Sequence, residues 1–67
     1  MVKIGAKYSP AENVLDFNGN KIDYIEVLEK DKEVSGNYKV LVYPEAGFCS
    51  VDSFPESDFN NKFKIKK

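Results

Sequence analysis

The sequence contains no histidine, no tryptophan and no arginine, and each absence removes a class of function. Without histidine, no side chain of ordinary pKa transfers protons near neutral pH, and neither a Ser-His nor a Cys-His pair can form. Without arginine, the forked recognition of phosphate or guanine is missing, although ten lysines are present. The sequence therefore predicts a protein that is not an enzyme.

Cysteine is also scarce, since Cys49 is the single one. It excludes an intramolecular disulfide, and without histidine it excludes a Cys/His metal set. Free cysteine is among the most buried residue types, so we expect Cys49 to be a small buried residue in a strand. No secretory signal pattern opens the sequence, and no apolar run approaches the ~20 residues that cross a bilayer. We expect a cytoplasmic protein without a cofactor.

Glycine-rich and acidic ligand loops are missing as well. The four glycines are isolated from one another, so no phosphate-binding loop is present. The spacing of Asp16, Asn18, Asn20 and Asp23 resembles the start of a calcium loop. However, Val27 occupies the twelfth position of that loop, where calcium binding requires glutamate, so we interpret this stretch as a plain turn.

What is present suits one small domain over residues 1–67. The chain is 42% apolar and 13% aromatic, which is too apolar for a disordered protein. At this length roughly 60% of the surface of the unfolded chain can be buried. The net charge is −1, but residues 40–61 carry four acids and no base, which gives a candidate acidic surface.

Strand patterns dominate the centre of the chain. Residues 38–51 form the densest β-branched and aromatic run and predict a hairpin with its turn at residues 45–47 and its second strand starting at Phe48. Asn18-Gly19 predicts a type I′ turn between arms at residues 14–17 and 21–29. In residues 21–30, Ile22, Ile25 and Leu28 have helical spacing, but the β-branched content favours a strand.

Shorter elements are predicted at both ends. Residues 2–8 alternate as a first strand that Ser9-Pro10 ends. The acids after Pro55 predict a single helical or 3₁₀ turn, and residues 62–66 alternate as a last strand. The predicted core comprises Ile4, Val14, Ile25, Val27, Val40, Val42, Val51, Phe54, Phe63 and Ile65.

This order of elements, with two short motifs, resembles the Src-homology 3 family. Ala6-Lys7-Tyr8 resembles the Ala-Leu-Tyr opening of those domains, and Gly47-Phe48 followed by residues 54–59 resembles their terminal Gly-x-x-Pro-Ser-Asn-Tyr segment. The resemblance implies an all-β fold, a five-stranded SH3-like barrel with one 3₁₀ turn before the last strand.

The chain departs from that family in two respects. The tryptophan pair after the acidic loop is absent, with Tyr38 the nearest aromatic residue, and the spacing from Gly47 to Pro55 is longer. Recognition of proline-rich peptides is therefore not carried over, although Tyr8, Pro55 and Phe59 match positions of the peptide groove. The Lys- and Asn-rich composition resembles small proteins of bacteriophages and mobile elements.

Protein binding is the function that the sequence favours. An aromatic and aliphatic face rimmed by acids would suit a basic partner, because desolvated aromatics carry most interface energy. One version is an inhibitor that mimics phosphate charge on a host protein. The predicted face comprises Tyr24, Leu41, Tyr43 and Phe48, with Glu26, Glu45, Asp52, Glu56 and Asp58 at its rim.

Two alternatives stay open. A nucleic-acid-binding barrel, single-stranded or duplex, would stack bases on aromatics beside lysines. Its candidates are Tyr8, Tyr24, Tyr43 and Phe48, with Lys3, Lys7, Lys39, Lys62, Lys64 and Lys66. A structural or homodimeric protein would instead use the same aromatic face, or an open strand edge, against a second copy.

Overall fold

The protein folds as one antiparallel β-sheet with a short helix before its last strand. The computed structural model describes residues 2–11, 14–15 and 18–65. The elements are β1 (Lys7–Pro10), β2 (Ile22–Lys30), β3 (Asn37–Pro44), β4 (Ser50–Pro55), α1 (Glu56–Asn61) and β5 (Phe63–Ile65). The strands lie in the order β4-β3-β2-β1-β5, which confirms the all-β class. Among the described residues, no backbone pairing joins β4 to β5.

Strand β2 is bent by two bulges, which settle its ambiguous pattern. Its register against β3 shifts between Ile22 and Tyr24 and again between Val27 and Glu29, so that β2 holds one extra residue at each place. A bulge changes the phase of the side chains as well as bending the strand. Ile22 and Ile25 can therefore both be buried although they are three residues apart. The helical spacing of these residues arises from a bulged strand.

The first strand begins later than the sequence predicts. Gly5 has φ +85° and turns the chain, and its N–H donates to the Val27 carbonyl over 2.8 Å. Because the turn interrupts the alternation, Ile4 is 53% exposed and lies outside the core. β1 then runs through Ser9 and includes Pro10, which is paired with Phe63 of β5.

The Asn18-Gly19 turn differs from the predicted type I′ turn. Gly19 has φ +85°, but no described residue other than glycine has positive φ, whereas type I′ needs positive φ at both central positions. An isolated bridge joins Leu15 to Lys21. The last two residues of the predicted first arm, Phe17 and the Asp16 that starts the calcium-like spacing, lie outside the described residues.

The core lies on the side of the sheet that carries the even-numbered residues of β3. The prediction is confirmed for Ile25, Val27, Val40, Val42 and Phe63, while Val14 and Phe54 are partly buried against them. It is wrong for Val51 and Ile65, which are 58% and 56% exposed. The core also contains residues that were not predicted: Val2, Tyr8, Ile22, Tyr38 and Phe59.

Helix α1 brings Phe59 into this core. The predicted single helical or 3₁₀ turn is an α-helix of six residues, longer than one turn, that starts after the extended Pro55, and Lys62 N–H donates to the Asp58 carbonyl at its end. Phe59 packs edge-on against Tyr8 at 5.1 Å and Tyr38 at 5.8 Å between ring centroids. The aromatic core cluster comprises Tyr8, Tyr38, Phe54, Phe59 and Phe63.

A buried hydroxyl on β4 gives the first prediction. Ser50 Oγ is buried and has no hydrogen-bond partner among the described residues, and Ser50 lies opposite the buried Val42. Because an unpaired buried polar group is destabilising, Ser50→Ala should raise the free energy of unfolding by about 1 kcal/mol, or about 4–8 °C in Tm. Thermal unfolding measures this. Ser35→Ala, at an exposed loop position, should leave Tm unchanged, and a lower Tm for Ser50→Ala would contradict the interpretation.

The loop between β2 and β3 is held by the carboxylate of Asp31. Its Oδ1 accepts hydrogen bonds from the N–H groups of Glu33 (2.8 Å) and Val34 (3.2 Å). Its Oδ2 accepts one from Ser53 Oγ over 2.7 Å, and Asn37 Nδ2 donates to the same Ser53 oxygen over 3.1 Å. These bonds tie the loop to β4. The Ser53 bond, followed by the Glu33 bond, lowers the pKa of Asp31 below its ordinary value of 3.8.

The lowered pKa of Asp31 predicts a loss of stability in acid. Because the folded-state pKa lies below the unfolded value, the contribution is complete above about pH 4 and is lost as pH falls through the folded pKa. Asp31→Asn should therefore lower Tm at neutral pH and flatten the fall of Tm below pH 4. Thermal unfolding from neutral to strongly acidic pH measures this, with Asp23→Asn at an exposed position as control. Identical acid slopes for wild type and Asp31→Asn would contradict it.

Candidate interaction face

The side of the sheet opposite the core carries the candidate site. Side chains alternate along β3, so the burial of Val40 and Val42 turns Leu41 and Tyr43 to the other side. The register places Leu41 between Glu26 of β2 and Val51 of β4, and Tyr43 opposite Tyr24. We call these five residues the outer face: Tyr24, Glu26, Leu41, Tyr43 and Val51.

A stacked tyrosine pair organises the outer face. The rings of Tyr24 and Tyr43 lie 4.3 Å apart between centroids and 14° from parallel. Tyr43 Oη donates to Glu26 Oε1 over 3.4 Å, and Lys7 Nζ lies 5.8 Å from the centroid of the Tyr24 ring. The pair is thus held by a hydrogen bond and a cation–π contact, which fixes two rings in place before any partner arrives.

The surroundings of Tyr43 keep its hydroxyl protonated. Desolvation is the largest cause that raises the pKa of Tyr43, and the negative charge of Glu26 is the next. At neutral pH the hydroxyl is therefore a donor, as its bond to Glu26 requires. The outer face offers a partner the edges of the two tyrosine rings and aliphatic surface from Leu41 and Val51. It also offers the carboxylate of Glu26, which already accepts the Tyr43 hydrogen bond.

The loop between β3 and β4 adds an exposed aromatic side chain. Strand β4 begins at Ser50, so Phe48 and Cys49 belong to this loop and not to the predicted strand. Phe48 is 95% exposed, and the prediction that Cys49 is buried is wrong. Gly47, with φ +101°, turns the chain just before Phe48. Phe48 therefore projects from the loop that follows Tyr43, at the tyrosine end of the sheet.

The structure divides the predicted acidic rim. Glu45 is exposed in the same loop as Phe48, and Glu26 lies within the outer face beside Leu41. Asp52 lies opposite the buried Val40 and thus on the core side of β4. The remaining two acids, Glu56 and Asp58, belong to α1. Asp58 Oδ2 lies 3.8 Å from Lys62 Nζ. The structure thus brings five of the predicted residues to one region: Tyr24, Leu41, Tyr43, Glu26 and Glu45. It places three predicted acids elsewhere: Asp52, Glu56 and Asp58.

Two members of this region were not predicted for it. Val51 was assigned to the core, and Lys7 was considered for nucleic acid alone. A signal for Val51 exists in the sequence, since Val51 and Phe54 are three residues apart and cannot both face inward in a regular strand. The contact of Lys7 depends on the pairing of β1 with β2, which places Lys7 opposite Glu26.

The nucleic-acid candidates are less well placed. Tyr8 is buried in the aromatic core cluster and is not available for stacking. Tyr24 and Tyr43 turn one ring face toward each other. Lys66 lies outside the described residues. No helix in residues 2–11, 14–15 and 18–65 has the length and apolar character of a membrane span.

Comparison with protein-family models, with curated proteins and with solved structures finds no match to the chain.

Proposed function

We propose that the protein is a small non-enzymatic module that binds another protein through the outer face and Phe48. The observation that carries the proposal is a pre-stacked tyrosine pair on the solvent side of the sheet, next to a loop whose phenylalanine is 95% exposed. The core already contains its own aromatic cluster around Phe59, so these three rings are not needed to fill it.

The energetics favour Phe48 as the anchor. Burying a phenylalanine side chain contributes about 1.5–3 kcal/mol, and interface energy concentrates in a few aromatic residues. The tyrosine pair adds rigid surface whose rotamers are already fixed by stacking and by the Glu26 hydrogen bond, which reduces the entropy lost on binding. A complementary partner would present an apolar pocket for Phe48 and basic groups near Glu26 and Glu45.

Protein is favoured over nucleic acid by the same geometry. Base stacking needs open ring faces, but Tyr24 is covered by Tyr43 on one side and has Lys7 near its ring. A carboxylate, Glu26, lies in the middle of the outer face, where it would repel a phosphate backbone. A second copy of this chain is the other partner to consider, since a homodimer could use the same face.

The proposal also includes a fold family, the SH3-like barrel, and a biological role, that of a phage-type inhibitor or adaptor. An antiparallel sheet in which β1 separates β2 from β5, with a short helix before the last strand, is compatible with an SH3-like barrel. The Lys- and Asn-rich composition and the acids near the aromatic face suit a phage-type inhibitor or adaptor that acts on a host protein in the cytoplasm.

Matched valine variants test this proposal. Val51→Thr changes the outer face, whereas Val34→Thr makes the same change in the loop between β2 and β3, where Val34 is 49% exposed. Immobilised wild type, Val51→Thr and Val34→Thr are incubated with lysate, with and without nuclease, and retained proteins are identified by mass spectrometry. We expect a protein that survives nuclease, is retained by wild type and Val34→Thr, and is reduced with Val51→Thr.

Other results of the capture experiment, or sedimentation of the purified protein, would contradict the proposal. Equal reduction with both variants would place binding outside the outer face. Capture that disappears with nuclease would show that the protein binds nucleic acid. A salt titration would then count its lysine–phosphate contacts. Sedimentation of the purified protein as a dimer that Val51→Thr weakens would assign the outer face to self-association.

A further inference from the structure

Strand β4 lies at one end of the sheet, and among the residues that the structure describes it has a neighbouring strand on one edge, β3. The backbone groups of a strand alternate, with those of residues i and i+2 pointing to the same edge. Glu56 N–H, just after β4, donates to the Gly36 carbonyl over 3.0 Å and thus points toward β3. By alternation, the N–H groups of Ser50, Asp52 and Phe54 point toward β3, and those of Val51 and Ser53 point outward. Pro55 is the third outward position.

Two of the three outward positions have no donor to offer. Ser53 N–H donates to Asp52 Oδ1 over 2.7 Å, so this outward donor is already engaged. Pro55 has no N–H. Within Ser50–Pro55, all of which the structure describes, Val51 is left as the outward donor that no such bond occupies. An added strand would therefore find one available donor where a regular six-residue edge presents three.

The position of Asp52 also opposes an added strand. Its side chain leaves the core side of β4, opposite Val40, and its carboxylate reaches the edge. Inward-pointing charges and prolines are known means by which edge strands avoid pairing with other chains. In an antiparallel pairing of two β4 edges, the two Asp52 carboxylates would also approach each other.

We propose that Asp52 prevents the free edge of β4 from pairing with β4 of a second copy of the chain. The inference is independent of the proposed function, because it concerns the backbone edge and not the outer face. It implies that the exposed edge, which would otherwise be a route to homodimers or aggregates, is closed by one carboxylate and one proline. At β4, partners are then restricted to recognition through side chains.

Three substitutions at Asp52 separate the hydrogen bond from the charge. Asp52→Ala and Asp52→Val remove the acceptor, and valine also keeps the strand propensity of the position. Asp52→Asn removes the charge but keeps an oxygen that can accept from Ser53 N–H. Sedimentation velocity over a range of protein concentrations should show wild type and Asp52→Asn as monomers and the other two as concentration-dependent dimers or larger species. Asp23→Ala, at an exposed position of β2, should remain monomeric.

A second substitution shows whether any association uses the edge. Val51→Pro removes the outward donor of Val51 without removing a bond to β3, so the double variant with Asp52→Val has one available outward donor, Ser53 N–H, as wild type has one. Combined with Asp52→Val, it should restore the monomer, and hydrogen exchange of the Val51 and Ser53 amides should be slower in the Asp52→Val assembly than in wild type. The proposal is overturned if Asp52→Ala and Asp52→Val stay monomeric. It is equally overturned if the double variant still associates, whereas association of Asp52→Asn as strong as that of Asp52→Ala would assign the role of Asp52 to its charge and not to its hydrogen bond.

Discussion

Phe59→Ala is expected to leave a large fraction of the protein molecules unfolded at 25 °C. Phe59 is buried and contacts the rings of Tyr8, Tyr38 and Phe63. Removing a buried phenylalanine costs about 3–5 kcal/mol, because a cavity remains where the ring was. A protein of this size has about 3–10 kcal/mol in total, at 0.05–0.15 kcal/mol per residue. Chemical denaturation followed by circular dichroism measures the loss.

The matched variant for this experiment is Phe48→Ala. It removes the same ring from a position that is 95% exposed, so the free energy of unfolding should change by no more than about 0.5 kcal/mol. Comparable losses for the two variants would mean that Phe48 belongs to the core. A small loss for Phe59→Ala would mean that α1 does not close the core as described.

Phe48→Ala should instead reduce the affinity for the protein partner. If Phe48 enters an apolar pocket as the anchor of the interface, its truncation costs 2 kcal/mol or more, which is about a 30-fold rise in Kd. Isothermal titration of the captured partner with wild type and Phe48→Ala measures the change. Because Phe48 is 95% exposed, this substitution should leave the fold intact, and the denaturation experiment above checks that the loss of affinity does not come from unfolding.

An exposed aliphatic residue elsewhere serves as the control for affinity. Ile65→Ala changes a side chain that is 56% exposed at the end of β5, away from the outer face. It should leave Kd within about twofold of wild type, since interface residues outside the energetic centre contribute little. Equal losses with Phe48→Ala and Ile65→Ala would remove Phe48 from the centre of the interface.

Local pattern was sufficient to predict the central strands. The β-branched run in β3 and the pattern of residues 21–30 predicted strands at both places and the hairpin that joins β3 to β4, because alternation of buried and exposed side chains follows directly from strand geometry. The three-residue spacing of Ile22 and Ile25 could not be interpreted from pattern alone. It depends on a bulge, which is set by the register between two strands and by the bend that the core requires.

The ends of elements were harder to predict, and the site depends on them. Phe48 and Cys49 follow the turn at Gly47, and a strand that began at Phe48 would place its side chain in the sheet. Ile65 alternates with Phe63 as a buried residue would, yet the core ends after Phe63. Where a core stops is decided by the elements packed over it, here α1, and not by the alternation within one strand.

The candidate site was predicted in part for the same reason. Tyr24, Leu41 and Tyr43 share a face because β2 and β3 are adjacent and in register. The acids at positions 52, 56 and 58 were grouped with them by proximity in sequence, but the turn of the chain into α1 carries two of them away, and Asp52 lies on the core side of its strand. Charge counted along a sequence does not establish that the charges share a surface.

The most direct test of the outer face is site-specific photocrosslinking. A photoreactive phenylalanine analogue is placed at position 48, or at the exposed position 34 as control, and the protein is irradiated in lysate. We expect a covalent protein adduct at position 48 that excess wild type abolishes and excess Val51→Thr abolishes less well, with no matching adduct at position 34. The same adduct at both positions, or its abolition by wild type and Val51→Thr alike, would contradict a binding face centred on Phe48 and the tyrosine pair.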